Sequence, residues 1–249
     1  MSAALPTVPV LHSEWIKIRS LRGTFVALTA ILVVTAGVQT LTAAAIGTAE
    51  AGSMGEDPLF AAYYGLIWGQ IAAMAFGTSA LSSEFHNGAL RTSLAAVPHR
   101  TRLYLSKMAV VGAAALVMGQ IAGLVTFLTG QAFMGQYALA LGEPGTYRAI
   151  VGSGLYLTLM ALFAAGLTAV LRSGALVLSL LIPFVVMVSF IVGAAAGGAA
   201  QYLPDRAGQL VMHSQTQGGL GPWTGLGVLA LWALAALVGG WLAVRRRAA

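Results

Sequence analysis

Uncharged, mostly apolar runs dominate the pattern of this chain, and short polar intervals separate them. Six of these runs are longer than 20 residues and contain no Asp, Glu, Lys or Arg. A helix needs roughly 20 apolar residues to cross a bilayer core about 30 Å thick, so each run predicts one membrane-spanning helix. We place the six spans near residues 24–46, 59–82, 108–131, 149–171, 174–196 and 222–244.

The composition agrees with this pattern. Hydrophobic residues make up 58% of the 249 residues and charged residues only 8%, whereas soluble domains contain roughly 25% charged residues. We therefore predict an all-α integral membrane protein with a single transmembrane domain over residues 1–249. Residues 197–221 are too polar and glycine-rich to cross as one helix, so we expect an outer loop or a re-entrant segment there. The chain has no cysteine, which excludes disulfides and thiol nucleophiles.

The basic residues predict the orientation of the spans. If both termini lie in the cytosol, the inner segments hold eleven of the thirteen Lys and Arg residues, and only Arg148 and Arg206 fall outside. Basic residues favour the cytosolic side of short connections, so we expect both termini to be cytosolic. The net charge of +6 follows from this asymmetry and gives no reason to expect a nucleic-acid partner.

A short amphipathic helix is predicted over residues 10–22. Leu11, Trp15 and Ile18 recur at helical spacing, while Glu14 and the basic residues fall on other faces. This pattern is typical of a helix that lies at the cytosolic membrane interface and contacts membrane lipid; the alternative is a simple helical lead-in to the first span. The residues that we expect at the interface are Trp15, Lys17, Arg19 and Arg22.

Four glutamines fall at membrane depth, where a polar side chain is unfavourable against lipid. They either line a translocation path or form hydrogen bonds between helices, worth about 1 kcal/mol each. Because no predicted span contains a charged residue, a carrier coupled to protons or sodium through intramembrane carboxylates is disfavoured. The four residues are Gln39, Gln70, Gln120 and Gln131.

Motifs for catalysis and cofactor binding are missing from the sequence. It contains neither the phosphate-binding G-x-x-x-x-G-K-[ST] pattern nor H-E-x-x-H, and its four histidines are scattered. We therefore expect no enzyme activity, no metal and no cofactor in this chain. The sequence GTSA, at 77–80, has the G-x-S-x form of rhomboid proteases, but Ser79 and His213 are predicted on opposite sides of the membrane.

The longest charged interval is residues 84–107, between the second and third predicted spans. Within it, ALRTSLAAV places Leu90, Leu94 and Val97 on one face of a short helix, which Pro98 ends. An apolar face with basic flanks predicts a helix that lies across the cytosolic surface and docks into a groove on a partner. The alternative is that the basic residues only anchor the loop on the cytosolic side.

At this point the sequence resembles the membrane subunits of type 2 ABC transporters, the exporter permeases. Members show E-x-x-x-G-[ST]-[LI]-x-x-L-x-x-x-P-x-[SR]-R followed by a lysine at the next span. The chain differs at Ala89, where Ser or Thr is usual. The E-x-x-K-x-R pattern of residues 14–19, the YLP and PW segments and the arginine-rich end look like those of actinobacterial members. The matching residues of the loop are Glu84, Gly88, Leu90, Leu94, Pro98, His99, Arg100 and Lys107.

The resemblance implies that the loop forms a coupling helix seated in a separate cytosolic ABC ATPase, which binds ATP and Mg²⁺. A second permease chain, identical or related, would complete an exporter in the bacterial cytoplasmic membrane, with a lipophilic drug, antibiotic or lipid as substrate. Two alternatives stay open: the membrane anchor of an ABC-type sensor complex without net transport, and a stand-alone six-span channel or carrier. The residues implied in ATPase coupling are Glu84, Gly88, Leu90, Arg91, Leu94, Pro98 and Arg100.

Overall fold

The computed structural model of the chain describes residues 7–50, 57–85, 99–135, 138–195, 197–215 and 219–246. All regular secondary structure in these ranges is helical. Its longer helices are apolar, so the chain is an all-α, multi-pass membrane protein.

Ten α-helices are present in the described ranges. They are α1 (Thr7–Ser20), α2 (Arg22–Glu50), α3 (Pro58–Ala61), α4 (Leu66–Ser82), α5 (Arg100–Gln131), α6 (Thr146–Leu171), α7 (Gly174–Pro183), α8 (Ser189–Ala195), α9 (Pro204–Gln209) and α10 (Pro222–Arg246). A π-helical turn, Phe184–Val188, directly follows Pro183. Three 3₁₀ turns cover Ser83–Phe85, Gly197–Tyr202 and Leu210–Met212.

Five helical segments of the described chain are long and apolar enough to cross a membrane. They correspond to the first, third, fourth, fifth and sixth predicted spans. Their bounds are Arg22–Ala45, Arg100–Gln131, Thr146–Leu171, Gly174–Gly193 and Pro222–Arg246.

The second predicted span, 59–82, folds differently from an uninterrupted helix. It consists of the single turn α3, a short bend and α4, which has 17 residues. A helix of that length extends about 26 Å, slightly less than the bilayer core of about 30 Å. The number of six spans therefore stays a prediction.

The described chain has two ends that differ in chemistry. At one end, which we call the Lys107 end, α4 and α10 finish while α2, α5 and α7 begin. Arg172 and Ser173 form the two-residue connection from α6 to α7 at this end: Arg172 has φ 56°, and the Ser173 hydroxyl accepts a hydrogen bond from the Leu176 amide. At the opposite end, which we call the Arg148 end, α6 and α10 begin.

The helix α6 is the centre of the bundle and packs against α4, α5 and α10. Its residues Tyr156, Leu157 and Met160 are fully buried. On the far side of α4, α2 packs against both α4 and α5. Burial on several sides explains why α4 and α6 are apolar around most of their circumference instead of along one stripe.

Small residues bring these helices close together. A β-carbon at Gly77 of α4 would overlap the carbonyl oxygen of Ala161 in α6, and one at Gly166 of α6 would lie 2.6 Å from the backbone of Ala236 in α10. Backbones can approach so closely only where a side chain is missing, and packing of this kind holds membrane helices together in lipid.

The segment between α8 and α10 is inserted into the Arg148 end of the bundle. Here α9 and the following 3₁₀ turn pack against α6 and α10. Ala207 and Val211 are fully buried. The helix α9 therefore lies among the other helices instead of projecting away from them.

We expect Gly77→Ala to destabilise the protein by about 1–3 kcal/mol, because the new methyl group overpacks the contact between α4 and α6. Gly37→Ala is the matched control, since nothing lies within 4 Å of a β-carbon at Gly37. That control should be neutral or stabilising by up to about 1 kcal/mol through helix propensity. Thermal unfolding in detergent compares the two, and equal behaviour would contradict the close packing at Gly77.

Candidate functional site

Four charged side chains form a closed ring at the Lys107 end. Lys107 donates to Glu14 Oε2 at 2.7 Å and to Glu84 Oε1 at 2.6 Å. Lys17 donates to the same two residues, to Glu14 Oε1 at 2.8 Å and Glu84 Oε1 at 2.9 Å. We call Glu14, Lys17, Glu84 and Lys107 the charge ring. It joins α1 to the end of α4 and to the first turns of α5.

The buried face of α1 explains how Glu14 enters the ring. Val10, Glu14 and Ile18 follow at intervals of four residues and lie on one helix face, and each is at most 4% exposed. The sequence pattern predicts Glu14 on a different face from Ile18, and this prediction is wrong, because both residues lie on the buried face. Glu14 is buried because two lysines neutralise its charge, a partnership that the spacing within α1 does not reveal.

The other two members face inward for similar reasons. The 3₁₀ turn Ser83–Phe85 tightens the chain after α4 and buries Glu84. In α5, Lys107 lies on the face that also carries Leu103 and Val111, both buried. Both residues therefore point toward the buried face of α1, which packs against α5.

The charge ring has no net charge, and its members differ in burial. The side chains of Glu14, Glu84 and Lys107 are 2%, 7% and 8% exposed, while that of Lys17 is 34% exposed. A buried ion must be paired, since removing one partner leaves an uncompensated charge in a medium of low dielectric constant. Each lysine bridges both carboxylates, so the loss of any one member leaves an unbalanced charge.

Two members of the ring have shifted pKa values. Burial alone would raise the pKa of Glu84, but the charges and hydrogen bonds of Lys107 and Lys17 outweigh it, so the pKa lies below its ordinary value. For Lys17, burial lowers the pKa, but the hydrogen bonds and charges of Glu14 and Glu84 more than compensate and raise it. Both shifts favour the ionised forms that the ring requires.

The ring lies at both ends of the predicted coupling loop. Glu84 is the first residue of the predicted loop, 84–107, and Lys107 is the last, and the two side chains are in direct contact. Arg100, at the start of α5, donates to the backbone oxygen of Val244 in α10 at 3.4 Å. Five residues implied in ATPase coupling lie outside the described residues: Gly88, Leu90, Arg91, Leu94 and Pro98.

Aromatic contacts fix the start of α5 to the end of α10. The Tyr104 hydroxyl donates to the Leu237 backbone oxygen at 2.9 Å. Trp241 Nε1 donates to the Thr101 hydroxyl at 3.1 Å, and the guanidinium of Arg245 lies 4.6 Å from the Trp241 ring. The segment that follows the loop is thus held by α1 on one side and by α10 on the other.

The residues predicted at the membrane interface differ in their exposure and contacts. Trp15, Arg19 and Arg22 are exposed, whereas Lys17 takes part in the charge ring. Trp15 also lines an apolar groove of about 510 Å³ between α1, α2 and α5, together with Leu28 and Val117.

The four predicted path glutamines do not converge on one site. Gln39 donates to Ala61 O at 3.2 Å and accepts from the Gly65 amide at 3.0 Å. Gln120 donates to Val151 O in α6 at 3.0 Å, and Gln131 accepts from the Leu139 amide at 2.8 Å. These three residues thus form hydrogen bonds between elements. Gln70 accepts from the hydroxyl of the buried Tyr156 and also lines a large cavity.

That cavity lies at the Arg148 end and has a volume of about 580 Å³. Its polar lining includes Asp205, Arg206 and Gln209 of α9, which the sequence-based reasoning did not single out as site residues. Burial raises the pKa of Asp205, and a hydrogen bond from Ser189 and the charge of Arg206 offset the shift only in part. Only their place in the cavity wall of the folded chain distinguishes these residues from those of an ordinary polar loop.

A polar contact between His213 and Asp57 lies beside the cavity, on the side of α3. His213 Nδ1 lies 2.8 Å from Asp57 Oδ2, and the His213 ring stacks on Phe60 with 4.1 Å between ring centroids. Asp57 also accepts from the Ser214 amide at 3.0 Å. These contacts join the start of α3 to the chain that follows α9.

The described ranges show no cluster of metal-ligating side chains. They contain no group of three or more His, Asp or Glu side chains that could hold a metal ion. Ser79 donates to the Phe76 carbonyl of its own helix at 3.0 Å, near the Lys107 end, and His213 is at the Arg148 end. The two residues of the protease alternative are therefore far apart.

Comparison with known proteins gives no family assignment: no protein-family model matches the chain, and no curated protein matches its sequence.

We expect Lys107→Met to destabilise the protein by about 3–5 kcal/mol, since Glu14 and Glu84 then share only the partly exposed Lys17. The double variant Lys107→Met/Glu84→Gln should be more stable than the single variant, because the neutral pair Glu14–Lys17 remains. Arg19→Met, an exposed change in α1, should stay within about 0.5 kcal/mol of wild type. Unfolding in detergent measures all three, and a double variant less stable than Lys107→Met would contradict the ring.

The contribution of Glu84 should depend on pH. Because its folded-state pKa lies below the unfolded value, the contribution is complete above the unfolded pKa and disappears as the pH falls through the folded one. The difference in melting temperature between wild type and Glu84→Gln should thus be largest near neutral pH and shrink in acid. For Glu143→Gln, an exposed control, the difference should stay small throughout. A constant difference for Glu84→Gln would contradict the assigned pairing.

Proposed function

We propose that the chain is the permease subunit of an ATP-driven exporter of the ABC class in the bacterial cytoplasmic membrane. A separate cytosolic ATPase supplies ATP and Mg²⁺, and a second permease chain, identical or related, completes the translocation path. This chain itself carries no catalytic function. The cargo is a lipophilic molecule.

The observation that carries the proposal is the charge ring beside the loop. A partner that pushes on the loop acts on Glu84 and Lys107, which frame it. Because both residues are buried and paired with Glu14 and Lys17 of α1, separating them is costly. The loop, α1 and the adjoining ends of α4 and α5 should therefore move as one unit, which is what an ATPase-driven permease needs.

The distribution of charge supports a cytosolic location for the Lys107 end. Of the eleven Lys and Arg residues in the described ranges, nine lie at this end and two at the Arg148 end. Basic residues are retained on the cytosolic side of membrane proteins. The nine are Lys17, Arg19, Arg22, Arg100, Arg102, Lys107, Arg172, Arg245 and Arg246.

The helices that frame the loop also reach the other end of the molecule. From Glu84, α4 leads back to Gln70 and Trp68, which line the 580 Å³ cavity. Tilting α4 at the Lys107 end therefore changes the wall of a ligand-sized space at the Arg148 end. This connection supports transport more directly than a purely structural role.

The test is to purify the tagged chain from its native membranes in mild detergent and to identify the proteins that accompany it. We expect an ATPase with a phosphate-binding loop in equal amount. Arg91→Glu, which changes the loop alone, should remove the ATPase by placing like charges at the docking surface. Glu143→Lys is the matched charge reversal at the Arg148 end and should leave the complex intact.

Different results point to different functions. ATPase activity that a cargo stimulates, together with net flux in liposomes, supports an exporter. Hydrolysis without net flux contradicts transport and favours the membrane anchor of a sensor complex. A chain that purifies alone and supports flux without ATP contradicts the ABC assignment altogether.

A further inference from the structure

The cavity at the Arg148 end has the features of a ligand site. It lies between α4, the π-helical turn with α8, and the segment that contains α9. Its volume of about 580 Å³ falls within the roughly 300–1,000 Å³ of small-molecule sites. Apolar side chains form most of one wall: Phe60, Ile67, Trp68, Val185, Val186 and Phe190.

Asp205 is the unusual member of the lining. It is 4% exposed, and its Oδ2 accepts a hydrogen bond from the Ser189 hydroxyl at 2.6 Å. Its other oxygen, Oδ1, is buried and has no hydrogen-bond partner among the described residues. The amide groups of Asp205 and Arg206 lie near the carboxylate but do not form a hydrogen bond to Oδ1. A buried acceptor without a donor is unfavourable and rare in folded proteins.

The nearby guanidinium of Arg206 does not donate a hydrogen bond to Asp205 Oδ1. Arg206 Nε donates to the backbone oxygen of Ser189 at 3.0 Å, so the guanidinium is directed toward α8. The remaining polar groups of the lining are also engaged: Gln209 donates to the Tyr156 hydroxyl at 3.3 Å, and His213 pairs with Asp57. Asp205 thus has a buried acceptor without a donor beside a mainly apolar space.

We infer that this cavity binds an amphipathic amine, with its protonated nitrogen donating to the carboxylate of Asp205 and its apolar body against the wall formed by Trp68, Val186 and Phe190. An ammonium supplies both the missing donor and a charge opposite to that of the carboxylate. The face of Trp68 favours a nearby cation as well. A neutral molecule of the same shape gains only the apolar contacts.

This inference deepens the proposed function, because it names the chemical class of the cargo. It rests on the proposed function only in treating the bound amine as a cargo. Binding itself needs no ATPase, so the two can fail separately. A chain that binds amines without any ATPase partner refutes the exporter alone, and a chain that assembles with an ATPase but ignores amines refutes the site alone.

The experiment titrates 4-phenylbutylamine, which is protonated at neutral pH, into the chain reconstituted in phosphatidylcholine nanodiscs, with empty nanodiscs as the blank. Calorimetry should show saturable binding of one amine per chain. The neutral isostere 4-phenylbutanol should bind at least tenfold more weakly. In Asp205→Asn, which keeps the size of the side chain and an acceptor for Ser189, the affinity for the amine should fall at least tenfold while that for the alcohol stays unchanged.

Two further variants make the test decisive. Glu143→Gln removes an exposed carboxylate at the same end of the molecule and should leave amine binding unchanged. Val186→Trp keeps Asp205 but fills the cavity, and should abolish binding of both ligands even if Asp205→Asn fails to fold. The inference is wrong if wild type shows no saturable binding, if Asp205→Asn binds the amine as wild type does, or if Val186→Trp retains binding.

Discussion

The need to neutralise buried charge governs the Lys107 end of this protein. Glu14 and Lys107 are almost completely buried beside Glu84, and neither carboxylate is tolerable there without its lysines. Three elements that are distant in sequence are therefore held at one point. Any movement of the chain between Glu84 and Lys107 therefore takes place beside these buried ion pairs.

The opposite end depends on different forces. There, α9 and its following turn fit among α6 and α10 because glycines allow close approach; a β-carbon at Gly225 would overlap the Ala207 carbonyl. The cavity forms where this packing leaves space beside α4. Since α4 reaches from Glu84 to the cavity wall at Trp68 and Gln70, one helix connects the charge ring with the ligand-sized space. The proposed exporter uses this connection, with the ATPase at one end and the cargo at the other.

The pattern of apolar runs predicts the all-α membrane fold because the bilayer sets the length of a spanning helix, and five of the six predicted spans coincide with long apolar helices. It overestimates the regularity of the second span, since periodicity does not reveal the bend between α3 and α4. Glu14 shows a different limit. Its position next to Lys17 predicts a solvated face, and only a contact with Lys107, 93 residues away, makes it a buried residue. The glutamines illustrate the same point, because their hydrogen-bond partners follow from packing between helices and not from local sequence.

Asp205 could not be recognised from its neighbours either. In the sequence it belongs to a polar, glycine-rich segment between two spans, where an aspartate is unremarkable. Its burial follows from the way α9 packs into the end of the bundle. Its Oδ1 lacks a hydrogen-bond donor, and Arg206 donates instead to the Ser189 backbone oxygen. Properties that depend on three separate elements in this way become visible only in the folded chain.

The central claim is that the charge ring holds α1 and the start of α5 as one unit. The most direct measurement is the distance between spin labels at Arg19→Cys in α1 and His99→Cys just before α5, both exposed sites in a chain without native cysteines. Double electron–electron resonance in nanodiscs should give one narrow distance distribution, which broadens in Lys107→Met and narrows again in Lys107→Met/Glu84→Gln. A distribution that is broad in the otherwise wild-type chain, or that Lys107→Met leaves unchanged, would contradict the claim.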